Sequence, residues 1–193
     1  MTKQITNTCK AASFSLWRLG KIRHLLNRKL TEKLVHAFIT SHLDYCNSLY
    51  IGIPDFELDK FQTIQNSAAR LITRTKKYDH ITPIRYELHW LPIEYRIKYK
   101  IICLTFKVLK KDTPCYLRDL LFVRDVGRPL RNENCFNLYQ PIPKTKYYGE
   151  RAFSICSPKL WNGLPTDLRS LDSFHRFKSQ LKTYLFKIAY SIS

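Results

Sequence analysis

Three carboxylates are close together in residues 55–59, which read DFELD. Acidic side chains at this spacing could bind Mg²⁺ or work as an acid–base pair. The same segment begins a predicted helix, however, and negative charges in the first turn of a helix complement its macrodipole. We therefore interpret the segment as a helix start and assign no catalytic residue to it.

The six cysteines include no close pair, which argues against a zinc site. They lie at positions 9, 46, 103, 115, 135 and 156, so none has the C-x-x-C spacing of a zinc knuckle or ribbon. His42 and Cys46 are one predicted helical turn apart, but two ligands do not complete a metal site. The G-x-S-x-G, P-loop and G-x-G-x-x-G motifs are also absent. We expect no metal, no cofactor and no enzymatic activity from this chain.

Positive charge is the strongest chemical signal in the sequence. The 193 residues include 33 Lys and Arg against 15 Asp and Glu, and the formal net charge is +18. Every quarter of the sequence has more bases than acids, so the charge belongs to the folded body rather than to a tail. This charge predicts a polyanionic partner, with nucleic acid first and an anionic membrane surface second. The N-terminus lacks an unbroken apolar stretch, which argues against a signal peptide and favours an intracellular location.

Helical periodicity predicts three helices in the first part of the chain, at residues 3–26, from Thr31 to before Gly52, and at residues 56–74. The hydroxyl of Thr31 is expected to cap the second helix. Cations, with one interleaved tryptophan, form rows on two of these helices. The predicted nucleic-acid-binding residues of these rows are Lys10, Trp17, Lys21 and Arg28 on or beside the first helix, and Arg70 and Arg74 on the third.

Residues 88–111, which read LHWLPIEYRIKYKIICLTFKVLKK, predict a further helix that begins at Pro92 and continues to Lys111. At about 100° per residue, a basic strip lies between two apolar flanks. The strip's predicted phosphate-binding residues are Arg96, Lys100, Lys107 and Lys111. The helix is therefore expected to be a core helix and a cationic ridge at once.

The predicted fold is mainly α: a small helical bundle followed by a looser lobe of helices and loops. Residues 122–147 contain several Gly and Pro, so we predict loops, with short strands near FNLYQPIP. A terminal amphipathic helix is predicted from about Asp172, with Ile188 among its inward-facing residues. The expected domains are 1–75 (helical bundle), 76–121 (packed helical extension) and 122–193 (C-terminal lobe).

Five stretches, in this order, resemble the C-terminal part of the reverse transcriptase of LINE-type non-LTR retrotransposons. They read SHLDYCNSLYIGIP, LDKFQTIQNSAARLI, YDHITPIRYELHWLPIEYRIKYKI, YGERAFSICSPKLWNGLP and SFHRFKSQLKTYLF. The resemblance covers the chain from about Ile5 to Phe186. QNSAARLI followed by LHWLPIEYRIKYKI is its most specific part, whereas DYCN alone is a weak signal.

The resemblance implies a thumb-like bundle in residues 1–75, which in such polymerases cradles the template–primer duplex, and a C-terminal extension. The family's metal-binding aspartates belong to a palm that we expect to precede this region, and no residue here matches those positions. The implied function is a non-catalytic, nucleic-acid-binding remnant of an RNA-directed DNA polymerase. Its partners would be RNA, RNA–DNA or DNA duplexes, bound non-specifically and with strong salt dependence. The alternative is an interaction module for an acidic protein or an anionic membrane surface.

Overall fold

The computed structural model describes residues 1–124, 137–143, 145 and 148–191. Within these ranges the regular structure is helical, apart from one isolated antiparallel bridge between Val123 and Leu138. The prediction of a mainly α fold is therefore confirmed. The chain forms two compact units, residues 1–96 (unit 1) and 97–193 (unit 2). The three-domain division at residues 75 and 121 remains a prediction.

Unit 1 is built from α-helices. Its helices are α1 (Thr2–Ile22), α2 (Arg28–Val35), α3 (Ser41–Asp44), α4 (Asp55–Thr73), α5 (Ile81–Glu87) and the first turn of α6 (Ile93–Leu109). The α1 helix packs on α4, and it buries Ile5, Ala12 and Leu19, which lie along one stripe at a spacing of seven residues.

The end of α1 differs from the prediction, which continued the helix to residue 26. The helix ends at Ile22, which is 43% exposed, and a short 3-10 turn follows at Arg23–Leu25. The Arg23 guanidinium donates hydrogen bonds to the carbonyl oxygens of Leu71 (2.6 Å) and Ile72 (2.9 Å). These carbonyls lie in the last turn of α4, where backbone acceptors lack helical partners, so Arg23 satisfies them from outside the helix.

The second predicted helix also begins and ends differently. Its cap is Asn27, whose side-chain oxygen accepts a hydrogen bond from the Leu30 N–H at 2.8 Å. Thr31 is buried instead, and its hydroxyl donates to the Asn27 carbonyl at 2.8 Å, so the predicted Thr31 cap is wrong. The helical run passes through a π-helical segment, His36–Thr40, and ends with α3 at Asp44 rather than before Gly52.

Polar side chains of α4 position the start of α6 within unit 1. Gln65 is buried, and its amide donates to the Leu91 carbonyl at 2.8 Å. The side-chain oxygen of Gln62 accepts from the backbone N–H of Ile93 at 3.1 Å. This N–H is one of those that a helix start leaves without an intrahelical partner. The amides of Gln62 and Gln65 therefore have a structural role here.

Unit 2 contains the rest of α6 and the helices α7 (Cys115–Arg118), α8 (Phe153–Asn162), α9 (Thr166–Arg169) and α10 (Phe174–Ala189). Its core is an aromatic cluster in which the Phe106 and Phe177 rings stack at 4.3 Å, and Trp161 lies 5.8 Å from Phe177. A buried hydroxyl pair, Thr105 and Ser157 at 2.6 Å, satisfies two polar groups between α6 and α8.

Three predictions for unit 2 are corrected. The α6 helix ends at Leu109, and Lys111 has a left-handed φ of 59°, so Lys111 does not continue the helical strip. Near FNLYQPIP, residues 137–143 form no strand beyond the single bridge of Leu138. The terminal helix begins at Phe174, and Ile188 is 45% exposed rather than inward-facing. Residues 125–136, 144, 146 and 147, which include Cys135, lie outside the described part of the predicted loop.

Candidate nucleic-acid interface

Three lysines of unit 2 converge from two helices. Lys100 and Lys107 lie on α6, and Lys178 lies on α10. All three are close enough to the Cys103 thiol to act on it electrostatically: burial raises the pKa of this thiol to about 11, while the hydrogen bond from Tyr99 and the three lysine charges act to lower it. We call Lys100, Lys107 and Lys178 the lysine cluster. The predicted rows of cations did not include Lys178, because nothing in the sequence shows that α10 lies beside α6.

An aromatic ring lies between two members of the lysine cluster. The Nζ atoms of Lys107 and Lys178 are 4.9 Å and 5.9 Å from the centroid of the Phe174 ring. Cation–π contacts of this kind orient an ammonium group without neutralising its charge. Lys107 is half-buried, whereas Lys100 and Lys178 are exposed. The cluster can therefore present charge to a ligand from a fixed position.

Two aspartates face the edge of this basic surface. Asp112 lies 3.5 Å from Lys107, and Asp172 accepts a hydrogen bond from Lys110 at 2.6 Å, which lowers the pKa of the Asp172 carboxyl. Both aspartates are exposed, and solvent screens exposed ion pairs of this kind strongly. A polyanion can therefore compete with them for the lysines at little cost.

Arg96, a predicted phosphate-binding residue, is used inside unit 1. Its Nε donates to Asp44 Oδ1 at 2.9 Å, and its Nη2 makes a second short contact with Asp44 Oδ2. The pair is bidentate, and only 19% of the Arg96 side chain is exposed. Asp44 thus neutralises the charge that the sequence assigned to the ridge, and the contact joins the end of α3 to the start of α6.

A second basic surface lies on α1, where Lys10, Trp17 and Lys21 are all exposed. The Trp17 ring stacks on Phe14, with centroids 5.9 Å apart and an interplanar angle of 24°. Lys21 Nζ lies 3.8 Å from the centroid of the Trp17 ring. Lys10 lines an open groove of about 550 Å³ between α1 and α4, and Lys60 lines the same groove.

The remaining predicted arginines lie around the end of α4. Arg28 forms an exposed ion pair with Glu87. Arg70 donates to the carbonyls of Lys76 (3.2 Å) and Asp79 (2.8 Å), and so it holds the loop that follows α4.

Arg74 adopts a left-handed conformation (φ 60°) at the C-cap of α4, and it lines an open cleft of about 370 Å³ together with Arg23 and Arg28. Burial lowers the pKa of Arg23, and the nearby charge of Arg74 lowers it further. Arg23 belongs to this basic cleft, although its place in the sequence did not single it out.

The acidic segment at residues 55–59 does not form a metal site in this arrangement. It begins α4, with Asp55 and Glu57 in the first turn, as the helix-start interpretation predicts. Glu57 is buried and bonded to Lys60 at 2.8 Å. Cys46 lies beyond the end of α3 with a left-handed φ of 49°, so it is not one helical turn from His42. Across the described ranges, no group of three His, Cys, Asp or Glu side chains is placed to hold a metal ion.

The described helices include none that is both long and apolar enough to cross a membrane. Comparison of this chain with family models, curated proteins and solved structures finds no match.

Proposed function

We propose that this chain binds the phosphate backbone of duplex nucleic acid, as the thumb and post-thumb part of a non-LTR retrotransposon reverse transcriptase would. The observation that carries the proposal is the lysine cluster, in which Lys107 of α6 and Lys178 of α10 both lie against the Phe174 ring, at 4.9 Å and 5.9 Å, and Lys100 lies on the same side of α6 about two turns before Lys107. Phosphates of a duplex repeat at short intervals, so several fixed cations can bind neighbouring phosphates and release counterions together. The proposal concerns binding alone and assigns no catalytic role.

The lysine cluster suits a phosphate backbone better than a specific base contact. Lysine is a compact point charge, whereas bidentate reading of base edges is typical of arginine and amide side chains. Four arginines of unit 1 are engaged with backbone carbonyls or carboxylates; they are Arg23, Arg28, Arg70 and Arg96. We therefore propose binding that is insensitive to sequence and strongly sensitive to salt.

The test compares a cluster variant with a matched control. Changing Lys100, Lys107 and Lys178 to Gln removes three charges while keeping side-chain length and helix propensity. Each lost phosphate contact should flatten the log–log salt dependence of binding to a B-DNA duplex by roughly 0.9, so the triple variant should flatten it by up to about 2.7. The control changes three exposed lysines outside the cluster, Lys29, Lys33 and Lys159, and removes the same charge.

The proposal requires that the log–log salt dependence of duplex binding flattens clearly more in the cluster variant than in the control. Equal slopes in the two variants would mean that net charge, rather than this site, determines binding. The alternative partner, an acidic protein or an anionic membrane surface, uses the same charge but not the spacing of phosphates in a duplex. Heparin should then compete as well as an RNA–DNA duplex at matched charge, whereas the proposal predicts that the duplex binds more tightly.

A further inference from the structure

Two large aromatic side chains of α1 are exposed and in contact with each other. Phe14 is 58% exposed and Trp17 is 56% exposed. Their rings are 5.9 Å apart and tilted by only 24°, so they form a stacked pair on successive turns of one helix. An exposed apolar surface of this kind commonly marks an interaction site. We call Phe14 and Trp17 the aromatic pair.

The surroundings of the aromatic pair are basic. Lys21 Nζ lies 3.8 Å from the Trp17 ring centroid, and the Arg18 guanidinium carbon lies 5.8 Å from the Phe14 centroid. The α1 sequence, TKQITNTCKAASFSLWRLGKI, contains no acidic residue. The complementary ligand must therefore combine flat apolar groups with closely spaced negative charge. Single-stranded nucleic acid carries both in every nucleotide, because each has one base face and one phosphate.

A paired duplex does not offer what the aromatic pair needs. Inside a duplex both faces of each base are covered by its neighbours, and inserting a side chain costs a few kcal/mol per unstacked step. An unpaired base has exposed faces that stack on aromatic rings without that cost. We infer that the aromatic pair binds unpaired nucleobases, while Lys21 and Arg18 contact the adjacent phosphates. This inference rests on the proposed nucleic-acid binding and assigns single-stranded segments to α1.

Tryptophan fluorescence gives a direct test. The chain has three tryptophans, of which Trp90 is 6% exposed, Trp161 is 1% exposed and Trp17 is 56% exposed. The tryptophan fluorescence that a ligand at the surface can quench therefore comes mainly from Trp17. A short oligo(dT), which does not pair with itself, should quench this emission on binding. A blunt duplex and heparin should bind with much less quenching, because neither offers an accessible base face except at duplex ends.

A pair of variants makes the test specific. Trp17→Ala should weaken oligo(dT) binding by about 5- to 150-fold, measured by anisotropy of a labelled strand, and should weaken duplex binding much less. The matched control is Tyr78→Ala. Tyr78 is 93% exposed in the loop after α4, beside Lys76 and Lys77, so it is also an exposed aromatic next to cations. The control should change oligo(dT) affinity by less than about twofold. Circular dichroism checks that both variants remain helical.

Several results would overturn the inference. One is oligo(dT) binding without quenching, and another is an equal loss of affinity in the two variants. A blue shift of the tryptophan emission on adding anionic phospholipid vesicles, together with tighter binding to the vesicles than to oligo(dT), would assign the aromatic pair to a membrane surface instead. If Trp17→Ala has no effect while the lysine-cluster variant still flattens the duplex salt slope, the inference fails and the proposed function stands. If neither oligo(dT) nor the duplex binds, both the inference and the proposed function fail.

Discussion

Several arginines and lysines in the described part of the chain have different roles. Four arginines of unit 1 direct their guanidinium groups at carbonyls or carboxylates within the unit; they are Arg23, Arg28, Arg70 and Arg96. Lys10, Lys21, Lys100 and Lys178 are exposed. The planar guanidinium fork satisfies two acceptors at once and is weakly hydrated, so it suits contacts within the fold. The strongly hydrated ammonium group remains at the surface, where a polyanion can reach it.

The Arg96–Asp44 pair leads to a prediction about stability. Arg96→Gln should lower the free energy of unfolding by about 1–2 kcal/mol, because Asp44 loses the two charge-assisted hydrogen bonds that it accepts from Arg96. The effect should be smaller than the roughly 3–5 kcal/mol expected when a fully buried pair is broken, since the two side chains are 19% and 30% exposed. Urea denaturation followed by circular dichroism measures the change.

Lys100→Gln on the same helix is the control, and its effect on stability should stay within about 0.5 kcal/mol. Asp44→Asn should match the loss from Arg96→Gln, and the double variant should cost less than the two single losses combined. An Arg96→Gln protein with unchanged stability but a flatter salt dependence of duplex binding would show that Arg96 binds phosphate, as the sequence alone suggested.

At the scale of elements, helix interiors were predictable, whereas the ends of the first two helices were not. Apolar periodicity located α1, α4, α6 and α10, because apolar residues on the buried face of a helix recur at a regular spacing along the sequence. The ends depend on single distant contacts. Arg23 lies in the turn that follows α1. It donates a hydrogen bond to the carbonyl of Leu71 near the end of α4, 48 residues away in sequence. No local pattern identifies that partner, which is why residues 23–26 were predicted to continue the helix.

Asn162, the last residue of α8, determines how the segment around Leu138 is held in unit 2. Its side chain accepts a hydrogen bond from the Leu138 N–H at 2.9 Å and donates one to the Leu138 carbonyl at 2.8 Å. Leu138 is only 1% exposed, so Asn162→Ala would leave two buried backbone groups unsatisfied. We expect a loss of about 1–3 kcal/mol and faster hydrogen exchange at the Leu138 amide.

Gln140→Ala is the matched control, because Gln140 joins the same segment to α8 through one long hydrogen bond to the Pro158 carbonyl, at 3.5 Å. A bond of this length contributes little to stability. Replacing the exposed Gln140 by Ala should therefore lower the free energy of unfolding by less than about 0.5 kcal/mol. Equal losses in the two variants, or unchanged exchange at Leu138 in Asn162→Ala, would show that the Asn162 side chain does not hold this segment.

At the scale of the whole molecule, basic surface is present in both units. Unit 1 has the face of α1 and the cleft around Arg74, and unit 2 has the lysine cluster. The net charge of +18 produces a positive field that attracts any polyanion, whatever its sequence. Affinity should therefore follow the number of phosphates contacted rather than the identity of the bases.

A salt titration of the unmodified chain tests this view. If about five phosphates are contacted, duplex affinity should fall roughly 500-fold between about 50 and 200 mM salt. Unrelated duplexes of equal length should bind within about threefold of one another, because backbone contacts carry little sequence information. A shallow salt dependence, or a strong preference for one sequence, would contradict a phosphate-based mode of binding. An uncharged peptide nucleic acid duplex is the control and should not bind.

The sequence by itself determined the fold class, the interiors of the long helices and the charge. These properties depend on composition and on spacing along the chain, which local periodicity and side-chain chemistry express directly. Only the tertiary structure decided which cations are paired with groups of the fold and which lie close to one another. Asp44 neutralises Arg96 across 52 residues of sequence, and Lys178 joins Lys100 and Lys107 because α10 packs beside α6. Such pairings arise from the packing of helices that are distant in sequence, and no single-helix pattern contains that information.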